Sequence, residues 1–290
     1  KFPLQQAIYF DSPDGRMIFA IPRGNKTYVG TTDTNYYGNI ATPKVTEDDR
    51  KYLLTAIDYM FPTLQLTNDD IESSWAGLRP LISDGGDNPS EISRKDEIFL
   101  SKSGLYSIAG GKLTGYRKMA EQIVDKIVSE FKQDGIIYSK SETMNLPISG
   151  GDVGGSEGFI RFKQEKLKEG QSLNISREET ERLIQTYGSN VDQIFRYIDE
   201  YREEAKRENI DIVVYATLLY AIKYEQAYKP SDYFIRRTGN LLFAIDSVER
   251  HQHAVMKVME KILGWNKEQR EQYTDELNKL IDEAKYATHE

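Results

Sequence analysis

The feature that most constrains the fold of this chain is a change of hydrophobic pattern across LPISGGDVGGSEGF, residues 146–159. Before it lie short β-branched and aromatic runs separated by turn residues, which are typical of strands. From about residue 160 onward, apolar residues recur at helical spacing, which predicts helices over residues 176–187, 190–206, 211–226, 230–243, 246–263 and 266–286. The pattern therefore predicts a mixed α/β part over residues 1–140 and an all-α part over residues 150–290, joined by a plain glycine-rich linker.

The first part is predicted to begin with an antiparallel meander. QAIYF (6–10), RMIFAIP (16–22) and KTYVGTTD (26–33) have strand composition. DSPDG and RGN, which separate them, favour tight turns. A helix over residues 46–61 is expected next, because Thr46 is a good N-cap and is followed by three acidic residues.

Three further strands are predicted before the helical part. IESSWAGLRPLI (71–82) has strand composition and is interrupted by Pro80. EIFLS (97–101) and GLYSIAGG (104–111) are predicted to form either a hairpin or two successive strands of a larger sheet. The pattern leaves both arrangements open.

Composition excludes several kinds of protein. The net charge of −8 argues against a broad basic surface for nucleic acid. The chain has no cysteine, which excludes disulfides and thiolate chemistry and fits a cytoplasmic protein. His251 and His253 are two residues apart and point to different sides of a helix, so no metal site is predicted. The apolar run at 212–222 is shorter than the roughly 20 residues that span a bilayer.

The stretch LYSIAGGKLTGYRKMAEQIVDKIV, residues 105–128, predicts a strand, a glycine turn and an amphipathic helix whose apolar face lies on a sheet. Gly110 and Gly111 let a ligand approach the backbone closely. Thr114 is expected to cap the helix, and Lys112 adds a positive charge near the helix N-terminus. An anion site and an ordinary strand-to-helix turn both fit this pattern.

Two arginines lie at the ends of strand-like segments. Arg79, in WAGLRPL, precedes Pro80, and its guanidinium suits either a bound carboxylate or phosphate or a structural ion pair. Arg94, in EISRKDE, is a second arginine of the same kind.

Four segments together, VGTTDT (29–34), AGLRPL (76–81), ISRKDE (92–97) and AGGKLTGYRKMAE (109–121), resemble one family. The chain is similar to the C-terminal half of bacterial FAD-dependent glycerol-3-phosphate dehydrogenase. The resemblance extends to KPSDYFIRRTGNLLF (229–243) in the helical part. It implies a flavoprotein fold of the glutathione-reductase-like, D-amino-acid-oxidase type, in which an FAD domain and an antiparallel substrate-domain sheet precede a C-terminal helical domain.

The resemblance also implies roles for particular residues. Arg79 and Lys112 would be catalytic, and Arg79 and Arg94 would bind the substrate. The FAD contacts would be Gly110, Gly111, Lys112, Leu113 and Thr114. The chain lacks both a starting methionine and the Gly-x-Gly-x-x-Gly that grips FAD in this family, so we expect a fragment that is inactive alone.

The implied reaction is oxidation of sn-glycerol 3-phosphate to dihydroxyacetone phosphate, with hydride transfer to FAD and electrons passed to quinone in the respiratory chain. An oxidase that uses oxygen is the nearest alternative. A helical module for interaction with other proteins is a non-enzymatic one. The resemblance leaves open a peripheral contact with the inner face of the cell membrane and a homodimer.

Overall fold

The computed structural model describes residues 1–79, 96–110 and 113–288. The strands in these ranges are β1 (Ile8–Asp11), β2 (Met17–Arg23), β3 (Lys26–Gly30), β4 (Glu97–Leu100) and β5 (Tyr106–Ala109). The α-helices are α1 (Glu47–Met60), α2 (Tyr116–Gln133), α3 (Gly155–Ser172), α4 (Arg177–Tyr187), α5 (Val191–Glu200), α6 (Arg202–Arg207), α7 (Ile212–Glu225), α8 (Asn240–Phe243), α9 (Ile245–Leu263) and α10 (Lys267–Lys285). A π-helical turn, Asp232–Arg237, precedes α8.

The chain divides into two compact units. The first holds residues 1–33, 41–77 and the helices from residue 150 onward. The second holds residues 34–40 and the described part of 78–149. Small antiparallel sheets followed by a helical C-terminal region agree with the predicted fold class. The domain bounds 1–140 and 150–290 remain predictions.

The predicted meander is confirmed in the first unit. β1, β2 and β3 pair antiparallel in that order. Arg23 pairs with Lys26 across a two-residue turn, and Gly24 has a φ of 61°, a conformation that glycine adopts easily. Ile18 and Ala20 alternate with the less buried Met17, Phe19 and Ile21, and they are fully buried with Ala56 of α1. The sheet and α1 therefore share a small apolar core.

The predicted N-cap of α1 is also confirmed. The Asp49 N–H donates to Thr46 Oγ1 at 3.2 Å, and the Thr46 N–H donates to Asp49 Oδ2 at 2.9 Å. This reciprocal capping box satisfies two backbone donors that the helix itself cannot pair.

The helical region has its own large core around α7. Eight side chains of α7 are buried, which explains the long apolar run at 212–222. Asp211 caps the helix by accepting hydrogen bonds from the Val213 and Val214 N–H groups at 2.8 and 3.1 Å. Among the described residues, no helix is long and apolar enough to cross a bilayer.

Two predicted helices of this region are interrupted. The expected helix over 190–206 is broken at Tyr201 into α5 and α6. The expected helix over 230–243 is a π-helical turn followed by the short α8, because Gly239, at a φ of 66°, separates them. The other predicted helices, capped by Ser176, Asp211 and Asn266, are present in the structure.

The glycine-rich stretch is not a plain linker, so this prediction was wrong. Gly150 lies against the turn that follows α4, where the Ser189 N–H donates to its carbonyl oxygen at 3.0 Å. A Cβ on Gly188 would lie 1.9 Å from that same oxygen. A Cβ on Gly158 would lie 2.2 Å from the Val153 carbonyl oxygen. These glycines permit close backbone packing, and α3 begins within the stretch.

The strand predicted over 71–82 was wrong for its described part, residues 71–79, which pair with no strand. Ser74 instead donates its N–H to the Ala284 carbonyl oxygen at 2.8 Å, at the end of α10. Arg50, which is 7% exposed, donates to Ser74 Oγ at 2.8 Å and to the Lys285 carbonyl oxygen at 2.9 Å. Residues 73 and 74 are therefore each held by a helix of their own unit, and residues 80–82 lie outside the described chain.

The stability of the helical core is expected to fall at high pH. Burial raises the pKa of Tyr233 to about 12, because an ionised phenolate is costly in an apolar core. In the unfolded chain a tyrosine ionises near pH ~10, so the folded state retains the proton longer. The stabilisation is complete below about pH 10 and is lost as the pH rises toward 12, by up to about 3 kcal/mol. Urea unfolding of the chain followed by circular dichroism across this range measures the loss.

Tyr233→Phe is the control for this pH dependence. At pH 8 the variant loses the hydrogen bond between Tyr233 OH and Thr217 Oγ1 (2.9 Å), which costs about 1 kcal/mol. Its stability is then expected to fall less steeply above pH 10. An unchanged slope in the variant would show that Tyr233 does not contribute to the pH dependence.

Candidate functional site

The predicted strand, glycine turn and helix are present in the second unit. β4 and β5 form an antiparallel hairpin, which decides between the two arrangements left open above. β5 ends at Ala109, and Gly110 follows at a φ of 97°, which favours glycine. Leu113 and Thr114 lie in a 3₁₀ turn, Leu113–Gly115, directly before α2. Gly111 and Lys112 lie outside the described residues.

The N-terminus of α2 is a positive end. Gly115, not Thr114, occupies the N-cap position, and no side chain caps the first turn, so the predicted Thr114 cap was wrong. That turn contains Arg117 and Lys118 and no acidic residue. Arg117 Nη1 donates to the Leu146 carbonyl oxygen at 2.7 Å. Uncapped N–H groups and nearby cations favour a bound anion.

Apolar side chains around this turn are exposed. Leu113 is 91% exposed and Tyr116 52%. Phe99, Leu100 and Leu105 of the hairpin are also exposed. α2 has no buried residue, although its apolar residues follow the helical repeat that predicted a face covered by a sheet. Met119, Ile123, Ile127 and Val128 are half-buried, so within the described residues this apolar surface is only partly covered, as is common for ligand or protein contacts.

Arg79 lies in the same compact unit as Gly110, Leu113 and Thr114. Its side chain is exposed, and it follows the irregular segment 71–78 instead of a strand. Arg94 lies outside the described residues. The proposed roles of these residues in binding and catalysis remain predictions.

Sequence reasoning missed the contacts that fix the turn of VGTTDT in the first unit. Arg16 donates to the Thr32 carbonyl oxygen, and its guanidinium lies 3.8 Å from the centre of the Tyr52 ring. Arg16 Nε also donates to Asp14 Oδ2 at 2.7 Å, and this bond holds the pKa of Asp14 well below its usual range. The sequence DGR offered a signal only for a turn, because the stacking partner, Tyr52, belongs to α1.

Comparisons with known proteins agree with the resemblance. A family profile described as FAD dependent oxidoreductase matches residues 2–117. A second profile, described as the C-terminal domain of alpha-glycerophosphate oxidase, matches residues 141–270. The chain is similar to the aerobic glycerol-3-phosphate dehydrogenase of Bacillus subtilis (strain 168), with 50% identity over 284 residues, covering 98% of this chain and 51% of the relative. For the enzyme of the same name from Staphylococcus aureus (strain USA300), identity is 47% over 293 residues, covering 100% and 52%.

A solved structure gives the same result. The X-ray structure of the glycerol-3-phosphate dehydrogenase from Bacillus halodurans complexed with FAD superposes with a TM-score of 0.88 at 44% identity. The match covers 98% of this chain and 54% of that chain. The chain thus spans about half the length of the relatives it matches, namely their C-terminal half. It belongs to the FAD-dependent glycerol-3-phosphate dehydrogenase family.

Proposed function

We propose that this chain is part of an FAD-dependent enzyme that oxidises sn-glycerol 3-phosphate to dihydroxyacetone phosphate. Within that enzyme it supplies the substrate-domain sheet and the closing strand and helix of the FAD domain. The observation that carries the proposal is the strand, glycine turn and uncapped helix at residues 106–133, in a chain 50% identical to an aerobic glycerol-3-phosphate dehydrogenase. The exposed apolar side chains around α2, such as Leu113 and Tyr116, support a contact with a further part of such an enzyme.

The described residues fit a flavin with a negatively charged or polar edge. Gly110 has no Cβ to block an approach to the backbone at the end of β5. The positive end of α2 stabilises negative charge on a bound group. Leu113 and Tyr116 offer exposed apolar surface to an aromatic ring system. When bound, FAD supplies the hydride acceptor.

The cationic side chains are assigned to the substrate and the cofactor. Arg79 and Arg94 bind the phosphate of sn-glycerol 3-phosphate, because a guanidinium donates two parallel hydrogen bonds to such a group. Lys112, with Gly111 before it, adds positive charge at the glycine turn and contacts the flavin. The residue that accepts the hydroxyl proton is not a histidine of residues 1–250, because the first histidine of the chain is His251.

A direct test compares the chain alone with the chain joined behind the N-terminal half of the Bacillus subtilis relative, below called the joined enzyme. We expect the isolated chain to purify without flavin, since it contains no Gly-x-Gly-x-x-Gly. The joined enzyme should purify with FAD, and anaerobic sn-glycerol 3-phosphate should bleach its visible flavin band. Retained FAD that sn-glycerol 3-phosphate fails to reduce would overturn the proposed reaction.

The electron acceptor is proposed to be a quinone, which agrees with relatives that are named dehydrogenases and not oxidases. Oxygen is the second candidate, because one matching profile is described from alpha-glycerophosphate oxidase. Oxygen consumption and reduction of a quinone analogue by the joined enzyme separate the two. A peroxide yield close to one per substrate oxidised would favour the oxidase.

A quinone acceptor would bring the enzyme to the inner face of the cell membrane as a peripheral protein. Flotation of the joined enzyme with liposomes tests this contact. Sedimentation equilibrium of the same sample tests the proposed homodimer.

A further inference from the structure

A cavity lies between the last two long helices of the first unit, α9 and α10. Its volume is about 230 Å³, which is smaller than the roughly 300–1,000 Å³ of sites that take drug-sized ligands. A water molecule takes about 30 Å³ in the liquid, so the cavity has room for a small metabolite but not for a dinucleotide.

The charged side chains that line this cavity are basic. His253 and Lys257 are one turn apart on α9, and Arg270 lines the cavity from α10. None of the described residues that line it is acidic, so an anion inside meets no like charge there. A phosphate accepts hydrogen bonds from an ammonium group, from a guanidinium and from an imidazole N–H.

The two strongest cations of the cavity can turn toward a ligand at little cost. Lys257 Nζ lies 3.0 Å from Glu208 Oε2, but Lys261 Nζ donates to the same carboxylate at 2.7 Å. Glu208 therefore keeps a partner when Lys257 moves. Arg270 Nε lies 3.6 Å from Glu260 Oε2, which is too long for a hydrogen bond.

The remaining lining is suited to the carbon part of a ligand. Met256 and Leu277 are both buried and give the cavity an apolar surface. Gln252, Thr274 and Asn278 add amide and hydroxyl groups, which can pair with hydroxyl groups of a ligand. This mixture fits an organic phosphate better than inorganic phosphate, because only the former has carbon atoms to cover the apolar surface.

The charge of the surrounding surface favours a small ligand over a membrane. Residues 245–285, which contain both helices, carry seven lysines and arginines against nine aspartates and glutamates. An anionic bilayer is attracted by an excess of basic residues, which these helices lack. A small anion inside the cavity is instead in contact with its basic side chains alone.

We propose that the cavity between α9 and α10 binds a small organic phosphate monoester. Its phosphate accepts hydrogen bonds from His253, Lys257 and Arg270, and its carbon atoms lie against Met256 and Leu277. The site goes beyond the oxidation proposed above, and its test does not depend on that reaction.

The test titrates glycerol 2-phosphate into the chain carrying labelled methionine methyl groups, observed by nuclear magnetic resonance. The C2 oxygen of this probe carries the phosphate, so the probe cannot undergo the proposed oxidation. The chain has six methionines, and Met256→Leu identifies the signal of Met256. We expect that signal to shift with a Kd of about 0.1–1 mM. Glycerol should leave it in place, and inorganic phosphate should bind at least about threefold more weakly.

Arg270→Gln is expected to raise the Kd for glycerol 2-phosphate at least about tenfold, because it removes a charged partner of the phosphate. Lys279→Gln is the matched control. It removes one positive charge from the same helix, but Lys279 does not line the cavity, so its Kd should stay within about twofold of the parent. An unmoved Met256 signal at about 20 mM probe, or equal weakening in both variants, would contradict the inference.

Flotation with vesicles that contain phosphatidylglycerol tests a lipid headgroup as the other source of the phosphate. The parent chain and Arg270→Gln are expected to float to the same extent, since the cavity takes a free ligand. Flotation of the parent that Arg270→Gln abolishes would place a lipid in the cavity and exclude the small metabolite.

Discussion

Replacing Arg79 with alanine is expected to lower kcat/KM for sn-glycerol 3-phosphate by about 100- to 1,000-fold in the joined enzyme. The physical reason is the loss of a charge-assisted, two-pronged hydrogen bond to the substrate phosphate. A bound phosphate that loses such a partner also loses compensation for part of its desolvation cost. Initial rates over a range of substrate concentrations measure the effect.

The distribution of the Arg79 effect between KM and kcat distinguishes its two proposed roles. A group that only binds the phosphate acts equally on ground and transition states, so its loss raises KM. A group that polarises the reacting hydroxyl acts mainly on the transition state, so its loss lowers kcat. Arg79→Lys keeps the charge but not the planar fork, and we expect it to recover only part of the activity.

Activity of Arg79→Ala on glycerol is the control. Glycerol has no phosphate, so a phosphate-binding role predicts the same slow rate in the variant and the parent. Parental kcat/KM for sn-glycerol 3-phosphate in Arg79→Ala would remove the arginine from the site altogether.

Local patterns predicted most of the fold. The meander β1–β3 and helices α1, α4, α7, α9 and α10 follow from alternation, helical repeat and capping residues that all lie within a few positions of one another. The segment 71–79 did not follow such rules. Its partners are 169 residues away for Ser73 and 210 residues away for Ser74, and a local pattern contains no information about them.

The glycine-rich stretch also could not be predicted correctly from local sequence. The stretch at 146–159 has linker composition, yet Gly150 and Gly158 occupy positions where a Cβ would collide with backbone atoms. A glycine that confers flexibility and one that permits close packing are identical in sequence. What identifies Gly150 as a packing glycine is its contact with the turn at Gly188, about forty positions later in the sequence.

The candidate site was predictable mainly through the resemblance. The residues alone indicated a strand-to-helix turn at Gly110, favoured an ordinary structural turn and left an anion site as the alternative. The roles of Arg79 and Lys112 came from the family motifs. Lys257 and Arg270 could not have been assigned to one cavity from the sequence, because neither belongs to a motif and they lie on separate helices.

Gly188→Ala is expected to destabilise the helical region by about 3–5 kcal/mol. Gly188 has a φ of 53° and a ψ of −132°, a backbone conformation that is essentially restricted to glycine. The new methyl group would also lie 1.9 Å from the Gly150 carbonyl oxygen. That atom belongs to the backbone, so no side-chain rotation can relieve the clash. The turn at 188–190 and the loop before α3 must therefore separate, which breaks the hydrogen bond from the Ser189 N–H to Gly150.

Gly264→Ala provides the matched control for this prediction. Gly264 also has a positive φ, 67°, at the end of α9, but a Cβ there would meet no atom within 4 Å. Gly264→Ala should therefore destabilise the chain only through the left-handed backbone conformation of this position, by about 1 kcal/mol. Urea unfolding of both variants, followed by circular dichroism, compares the two costs. Equal losses of unfolding free energy in the two variants would mean that the loop at Gly150 moves freely and behaves as the plain linker that its composition predicts. A difference of about 2 kcal/mol or more would establish that the close packing of Gly188 on Gly150 stabilises the helical region.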